Sequence, residues 1–216
     1  MAEIKILTPK SPLYPKNLLG LIDMPKKLYV LGKILDSDQS AVAIIGSRNM
    51  TQHGKKIAWD FSYFLARKGI TIISGLARGI DTIVHQAALK VSGRTIAVLA
   101  NGLEKIYPPE NSKLAQEIIK SGAVVSEYPP GAKMEPKNFL VRNRLISGLA
   151  RGVLVIEGKA RSGTLSTASH AANQGREVFA IPGSLATDWL IEQGASVATT
   201  PKDVLDYLDR IDLMSN

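Results

Sequence analysis

The sequence contains no cysteine and only three histidines among its 216 residues. Without thiols the chain can form neither a disulfide framework nor a thiolate zinc site, and this composition fits a reducing compartment. His53, His85 and His170 are widely separated and show no ligand spacing, so we expect no metal ion. No apolar run approaches the ~20 residues that span a bilayer and no signal-peptide pattern is present, which favours a cytoplasmic protein without membrane contact.

The motifs of nucleotide cofactor sites are also lacking. The first glycine turn reads GSRNMT and the second strand runs into SGLARG, so a dinucleotide site would lack both its G-x-G-x-x-G motif and its acidic residue. The P-loop ending in Gly-Lys-Ser/Thr is missing, and no serine stands in a G-x-S-x-G elbow. These absences argue against NAD or FAD binding and against ATP or GTP hydrolysis, and we expect no cofactor.

What remains is the composition of a globular protein with a positive charge. Hydrophobic residues make up 45% of the chain and charged residues 21%, which is enough to build a core. The 27 lysines and arginines against 19 acidic residues give a formal charge of +8 and a pI near 9.6. This excess favours polyanionic partners, although it does not indicate a fold.

From Ala41 onward the chain repeats a unit of apolar strand, glycine-bearing turn and amphipathic helix. Such units form a parallel sheet through right-handed crossovers, so we predict a doubly wound α/β fold, mostly parallel, with helices on both faces. Predicted strands span residues 41–45, 70–73, 95–99, 123–126, 152–157, 177–180 and 196–198, and predicted helices 52–68, 80–91, 111–120, 188–193 and 201–208. Residues 1–40, with four scattered prolines, are predicted to be an N-terminal wrapping arm with an edge strand over 27–30, and residues 41–216 the domain itself.

Glycine turns with a nearby cation follow several predicted strands. A single such turn is explained by a tight strand-to-helix connection and a solvated arginine. Three such turns on one rim of the sheet, where open α/β sheets bind their ligands, predict a phosphate site instead. A helix that starts there with small hydroxyl residues adds free backbone N–H groups. The residues concerned are Gly46, Ser47 and Arg48 in the first turn, Arg78 in the second, and Arg161, Ser162, Gly163 and Thr164 in the third.

A second group of candidates precedes the strand at 152–157. Phe139 is expected in an exposed loop beside Lys137, where it either stacks on a base, worth ~1–3 kcal/mol, or anchors the loop to the core. Arg142 and Arg144 are two residues apart on a helix, so they face different ways; we expect Arg142 to meet the ligand with Asn143 beside it, and Arg144 to pair internally.

Two glutamates, Glu127 and Glu157, follow strands on the same rim. They fit either a pair of carboxylates for acid/base catalysis or partners that position neighbouring arginines. We favour the second interpretation.

Several motifs in order resemble the DNA-processing protein A (DprA/Smf) family of single-stranded-DNA-binding recombination mediators. They include AIIGSR, ISGLARGIDTIVHQAAL, AVLANGLEKIYPPEN, NFLVRNRLISGL, RSGTLSTA and EVFAIPG, within a resemblance from about Tyr14 to Ala198. The resemblance implies an extended Rossmann-like fold, a homodimer, a basic pocket for a few nucleotides of single-stranded DNA and the loading of a RecA-type recombinase during natural transformation, without enzymatic activity.

By motif, the resemblance assigns phosphate contacts to Gly46, Ser47 and Arg48 and backbone donors to the turn at 162–164. It assigns nucleotide contacts to Lys137, Phe139, Arg142 and Asn143. The segment 186–191 departs from the family pattern G-x-N-x-L-I, and we expect the helical and winged-helix-like domains of longer relatives to be missing.

Two other functions remain open from the sequence. Phosphoribohydrolases of the lysine-decarboxylase-like group resemble this chain but carry the turn G-G-x-G-T-x-x-E, whose glutamate takes part in glycosidic cleavage. When Gly163 and Thr164 are aligned with that turn, Thr167 occupies the place of the glutamate, so this enzyme is the second choice. A sensor of a small nucleotide would use the same pocket.

Overall fold

The computed structural model describes residues 3–160 and 162–214, of which the last three are described by their backbone only. Within these residues nine strands form one sheet, in the order β1-β2-β6-β5-β4-β3-β7-β8-β9. The strands are β1 (Lys5–Leu7), β2 (Leu28–Gly32), β3 (Ala41–Ile45), β4 (Thr71–Ser74), β5 (Thr95–Leu99), β6 (Ala123–Ser126), β7 (Gly152–Val155), β8 (Glu177–Ala180) and β9 (Ser196–Val197).

The strands from β3 to β9 run parallel to one another, so the predicted doubly wound, mostly parallel fold is confirmed. The chain builds the sheet outward from β3 in one direction through β6 and then returns to add β7 on the other side. Strand order therefore reverses between β3 and β7. In open α/β sheets this is where a crevice opens at the carboxyl ends of the strands.

Helices cover both faces of the sheet, as predicted. They are α1 (Gln52–Arg67), α2 (Ile80–Lys90), α3 (Ser112–Ser121), α4 (Pro136–Leu149), α5 (Gly163–Asn173), α6 (Leu185–Glu192) and α7 (Pro201–Met214). Alternation along β3 decides the packing, because successive side chains point to opposite faces. Val42 and Ile44 belong to the core with α1, α2 and α7, whereas Ala43 and Ile45 belong to the core with α4 and α5.

The N-terminal segment adds two antiparallel strands to the sheet, since β2 pairs with β6 and β1 pairs with β2. The predicted edge strand at 27–30 is therefore an inner strand, and that part of the prediction was wrong because Lys5–Leu7 is too short and too exposed to be recognised as its neighbour. The same segment also packs on the core through the buried side chains of Tyr14 and Leu18.

The start of α4 also differs from the prediction. The helix begins at Pro136, so Phe139 and Lys137 lie in its first turn and not in a loop. Proline is accommodated at the first helical position because its missing N–H has no intrahelical partner there. The sequence predicts a continuous loop for the proline-rich stretch, but the last proline of that stretch starts the helix.

Candidate functional site

The crevice between β3 and β7 is a cavity of about 630 Å³. Most of the residues singled out in the sequence contribute to its wall, and they come from the turns after β3 and β7 and from one face of α4. These are Gly46, Ser47, Arg48, Phe139, Arg142, Asn143, Ser162, Gly163 and Thr164. Arg161 lies outside the described residues.

The turn after β3 holds Arg48 at the mouth of the crevice. Gly46 has to be a glycine here because a Cβ atom would approach Ile80 Cγ1 of α2 to 2.7 Å. The Ser47 carbonyl accepts a hydrogen bond from the Ile80 N–H (3.1 Å), and the Ser47 hydroxyl accepts one from the Asn49 N–H (3.1 Å). With its backbone fixed, the exposed side chain of Arg48 places its guanidinium carbon 4.9 Å from the centroid of the Phe139 ring.

Arg142 provides a buried positive charge at the floor of the crevice. Its Nη1 donates to the Gly75 carbonyl (2.8 Å) and to the Val98 carbonyl, which ties α4 to the carboxyl ends of β4 and β5. Its Nε is buried without a hydrogen-bond partner among the described residues. Burial lowers the pKa of Arg142 to about 10, with the carboxylate of Asp81 opposing the shift, so the guanidinium remains charged at neutral pH.

Asp81 was not recognised in the sequence, although it also lines the crevice. Its Oδ2 accepts hydrogen bonds from the N–H groups of Gly75 (3.1 Å) and Ala77 (3.3 Å). Burial raises the pKa of its carboxyl group, and the charge of Arg142 opposes that shift. An acidic residue in the first turn of a helix is common, so nothing in the sequence around Asp81 marks it as part of the site.

Arg144, Glu127 and Glu157 have internal partners. Arg144 Nη2 donates to both carboxylate oxygens of Glu127 (2.7 and 2.6 Å), which confirms that Arg144 pairs internally. Glu127 therefore positions an arginine, as expected, whereas Glu157 contacts no arginine among the described residues, so the interpretation was wrong for Glu157. Its carboxylate accepts hydrogen bonds from the Thr51 N–H (2.8 Å) and hydroxyl (2.7 Å), and so holds the start of α1.

The start of α5 presents backbone donors to the crevice. Ser162 is the N-cap residue, but its hydroxyl makes no capping hydrogen bond and is buried without a partner among the described residues. The Asn143 amide donates to the Gly163 carbonyl (3.1 Å), which links α4 to this helix start. The first N–H groups of a helix have no intrahelical acceptor, and together with the helix dipole they favour an anion.

Two predicted cations lie outside the wall of the crevice. Arg78, in the turn after β4, forms an exposed ion pair with Glu110 of the loop between β5 and α3. Lys137 pairs with Glu135 (2.9 Å) at the start of α4. Two residues that the sequence did not single out do line it: exposed Lys159 in the turn after β7, and Tyr107 from the loop between β5 and α3. The Tyr107 ring lies 5.9 Å from that of Phe139.

Among residues 3–160 and 162–214 no cluster of side chains with metal-ligating potential is found. In the same part of the chain no helix is long and apolar enough to cross a membrane.

The geometry can be compared with known proteins. The model of the family DNA recombination-mediator protein A matches residues 5–209. The protein Smf of Escherichia coli K12 is 45% identical over 205 residues, an alignment that covers 92% of this chain and 55% of that protein. The chain thus spans little more than half the length of this relative.

Two solved structures have closely similar folds. DNA processing protein A of Streptococcus pneumoniae is 38% identical, with a TM-score of 0.88 over 94% of this chain and 74% of that chain. The protein of Helicobacter pylori is 32% identical, with a TM-score of 0.86 over 97% of both chains, and its structure is described in terms of its single-stranded DNA binding mode.

Proposed function

Because the chain belongs to the DNA recombination-mediator protein A family, we propose that it binds single-stranded DNA in the crevice between β3 and β7. The observation that carries this proposal is the convergence of Arg48, the Phe139 ring and the free start of α5 on one cavity. Phosphates would meet the positive charges and the backbone donors, and a base would meet the aromatic ring.

The phosphate contacts follow from which donors remain available. Arg48 is exposed at the mouth, and Gly163 and Thr164 at the start of α5 line the same space. Arg142 adds a fixed charge below them, with one unpartnered Nε. In this proposal Lys137 and Arg78 contact phosphates beyond the crevice, since both are exposed and each forms a surface ion pair that a phosphate can replace.

The base contact depends on Phe139. Its ring is half-buried on α4 and carries the Arg48 guanidinium near its face. Stacking on an aromatic ring is worth ~1–3 kcal/mol per base and is tolerant of sequence. A strand with unpaired bases can make this contact, whereas the bases of a duplex are stacked within the helix.

We propose that the crevice binds without catalysis. Thr167, which stands where phosphoribohydrolases carry a glutamate, is buried with its hydroxyl 3.5 Å from the Gly163 carbonyl oxygen. Glu127 and Glu157 are bonded to Arg144 and to Thr51. Incubation with nucleoside monophosphates followed by chromatography should yield no free base, and release that disappears in an Asp81→Asn variant would contradict this part.

The binding itself is tested by fluorescence anisotropy with a labelled oligothymidylate of roughly ten nucleotides and a duplex of equal length. We expect tighter binding of the single strand and a steep loss of affinity between about 50 and 200 mM salt, because phosphate neutralisation releases counterions. Equal affinity for both forms, or a complex insensitive to salt, would contradict the proposal.

We further propose that the chain delivers the strand to a RecA-type recombinase and acts in the cytoplasm. A recombination mediator should shorten the lag of RecA filament assembly on single strands coated with a single-stranded-DNA-binding protein. The rate of RecA-dependent ATP hydrolysis reports this step. No change of the lag on addition of this chain would contradict the assignment of that partner.

A homodimer is the third part of the proposal. Leu185 and Trp189 of α6 and Val197 of β9 are exposed, by 73%, 48% and 48%. Trp189 also lines a groove of about 580 Å³ between α5 and α6. Exposed apolar patches of this kind mark contact surfaces, and the same patch on two copies makes a symmetric dimer. Light scattering should give a dimer for the protein and a monomer for Trp189→Asp.

A further inference from the structure

Tyr107 is an exposed aromatic residue that the proposed contacts do not yet use. It lies in the loop between β5 and α3, lines the crevice, and exposes 38% of its surface. Within the described part of the chain its hydroxyl makes no hydrogen bond, so no internal contact of the hydroxyl accounts for a tyrosine here. A large ring that faces a polar crevice is therefore available to a ligand.

The geometry of the ring pair limits what it can hold. The centroids of Tyr107 and Phe139 are 5.9 Å apart and the ring planes are tilted by 60°. Stacked bases in a DNA strand are spaced about 3.4 Å apart and parallel. Two bases that each lie flat on one of these rings can therefore not remain stacked on each other. The pair fits two unstacked bases, which only a single strand supplies.

Arg78 lies beside the loop that carries Tyr107. Its guanidinium forms an exposed ion pair with Glu110, which belongs to the same loop as Tyr107. Arg48 thus lies beside Phe139 and Arg78 beside the loop of Tyr107, so a cation is close to each of the two segments that carry the rings. A strand that continues from Phe139 to Tyr107 would therefore pass near Arg78, although Arg78 is outside the wall of the crevice.

We propose that Tyr107 is a second base-stacking residue, which takes the nucleotide next to the one on Phe139, and that Arg78 contacts a phosphate on that side. This inference rests on the proposed function. The inference adds that the site separates two neighbouring bases. The site therefore selects against a strand whose bases are paired and stacked.

The variants Tyr107→Ala and Tyr107→Phe separate the ring from the hydroxyl. We expect Tyr107→Ala to weaken binding of an oligothymidylate by about tenfold, because stacking is worth ~1–3 kcal/mol, and Tyr107→Phe to bind within about twofold of the unchanged protein. Tyr63→Ala on the outer face of α1 is the matched control and should bind normally. Circular dichroism melting checks that each variant is folded.

Oligonucleotides with one abasic site give a second readout, which does not depend on protein stability. Moving the abasic site along the strand should identify two adjacent positions at which loss of the base weakens binding. In Tyr107→Ala one of these two positions should no longer matter, while the other still does. In Tyr107→Trp, tryptophan fluorescence should be quenched further when DNA is added than in the unchanged protein.

The outcomes distinguish this inference from the proposed function. If the unchanged protein binds no single strand, both fail. If it binds and Tyr107→Ala binds equally well with the same abasic pattern, the second stacking position is wrong and the function stands. If Tyr107→Phe is as weak as Tyr107→Ala, the hydroxyl and not the ring makes the contact, which also overturns the inference.

Discussion

Arginines stand at both ends of the central strands, but they are bonded differently. At the amino ends, Arg94 donates to both carboxylate oxygens of Asp38 (2.8 Å each) and to the carbonyls of Ser121 (2.7 Å) and Lys33 (3.0 Å). At the carboxyl ends, Arg48 is exposed and its guanidinium rests near the Phe139 ring. The protein uses most of the hydrogen-bonding capacity of Arg94, whereas the Arg48 side chain makes no hydrogen bond to any residue that the structure describes.

This difference separates cations that build the fold from cations that can bind a ligand. Asp38 is 7% exposed and also accepts a hydrogen bond from the Thr71 hydroxyl (2.9 Å), so the amino-end cluster is a closed network. A phosphate that approached Arg94 would have to displace these partners. A phosphate that approached Arg48 would displace solvent and weaken its contact with the Phe139 ring. The comparison therefore predicts opposite phenotypes for the two arginines.

The largest expected effect concerns stability. Arg94→Ala should lower the free energy of unfolding by about 3 kcal/mol, because it leaves the buried Asp38 carboxylate without its compensating charge. Urea denaturation measures this loss, and the folded variant should bind single-stranded DNA normally. Arg67→Ala, at an exposed position on α1, is the control and should stay within about 0.5 kcal/mol. Weak DNA binding by folded Arg94→Ala would break the comparison.

Phe139→Ala is expected to act on binding instead. Loss of base stacking should weaken affinity for an oligothymidylate by about tenfold, with a range set by the ~1–3 kcal/mol of one stacked base. Phe64→Ala is a close control, because Phe64 is also half-buried on a helix and has a cation, Lys68, 5.9 Å from its ring centroid. It lies outside the crevice, and anisotropy titration should show unchanged affinity. Equal losses in both variants would contradict a base contact at Phe139.

The sequence predicted the fold well because strand, glycine turn and helix alternate from Ala41 onward, and each unit carries its own signals. It did not predict that β2 is an inner strand, because that depends on pairing with β1 and β6, which are distant in the chain. At the site, too, a local pattern predicts only what neighbouring residues determine. The turns at Gly46 and Gly163 are such local features, and their motifs predict them.

Other parts of the site depend on tertiary packing. Tyr107 reaches the crevice only because the loop after β5 folds back beside α4, and nothing in its neighbouring residues indicates this. Similarly, the sequence favoured Arg142 as a ligand contact, but it could not show that Nη1 is taken up by the carbonyls of Gly75 and Val98. Which donor of an arginine stays free is decided by residues far away in the chain.

Glu110→Gln should have the smallest effect, and it sharpens the comparison by freeing a cation. Without its exposed partner, Arg78 can turn toward a phosphate, so affinity should rise by about twofold, within the ~0–1 kcal/mol that surface ion pairs contribute. The gain should shrink as salt screens the charges. Asp60→Asn, which removes the exposed partner of Lys56 on α1, is the control. A weaker complex in Glu110→Gln would contradict a role for Arg78.

The most direct test of the central claim is the salt dependence of single-strand binding in Arg48→Ala compared with the unchanged protein. If Arg48 neutralises a phosphate at the mouth of the crevice, the variant should bind every sequence more weakly, and the slope of log affinity against log salt should become shallower by about 0.7. The free energy of unfolding should stay the same. An unchanged slope and affinity would show that DNA does not bind at the carboxyl ends of these strands.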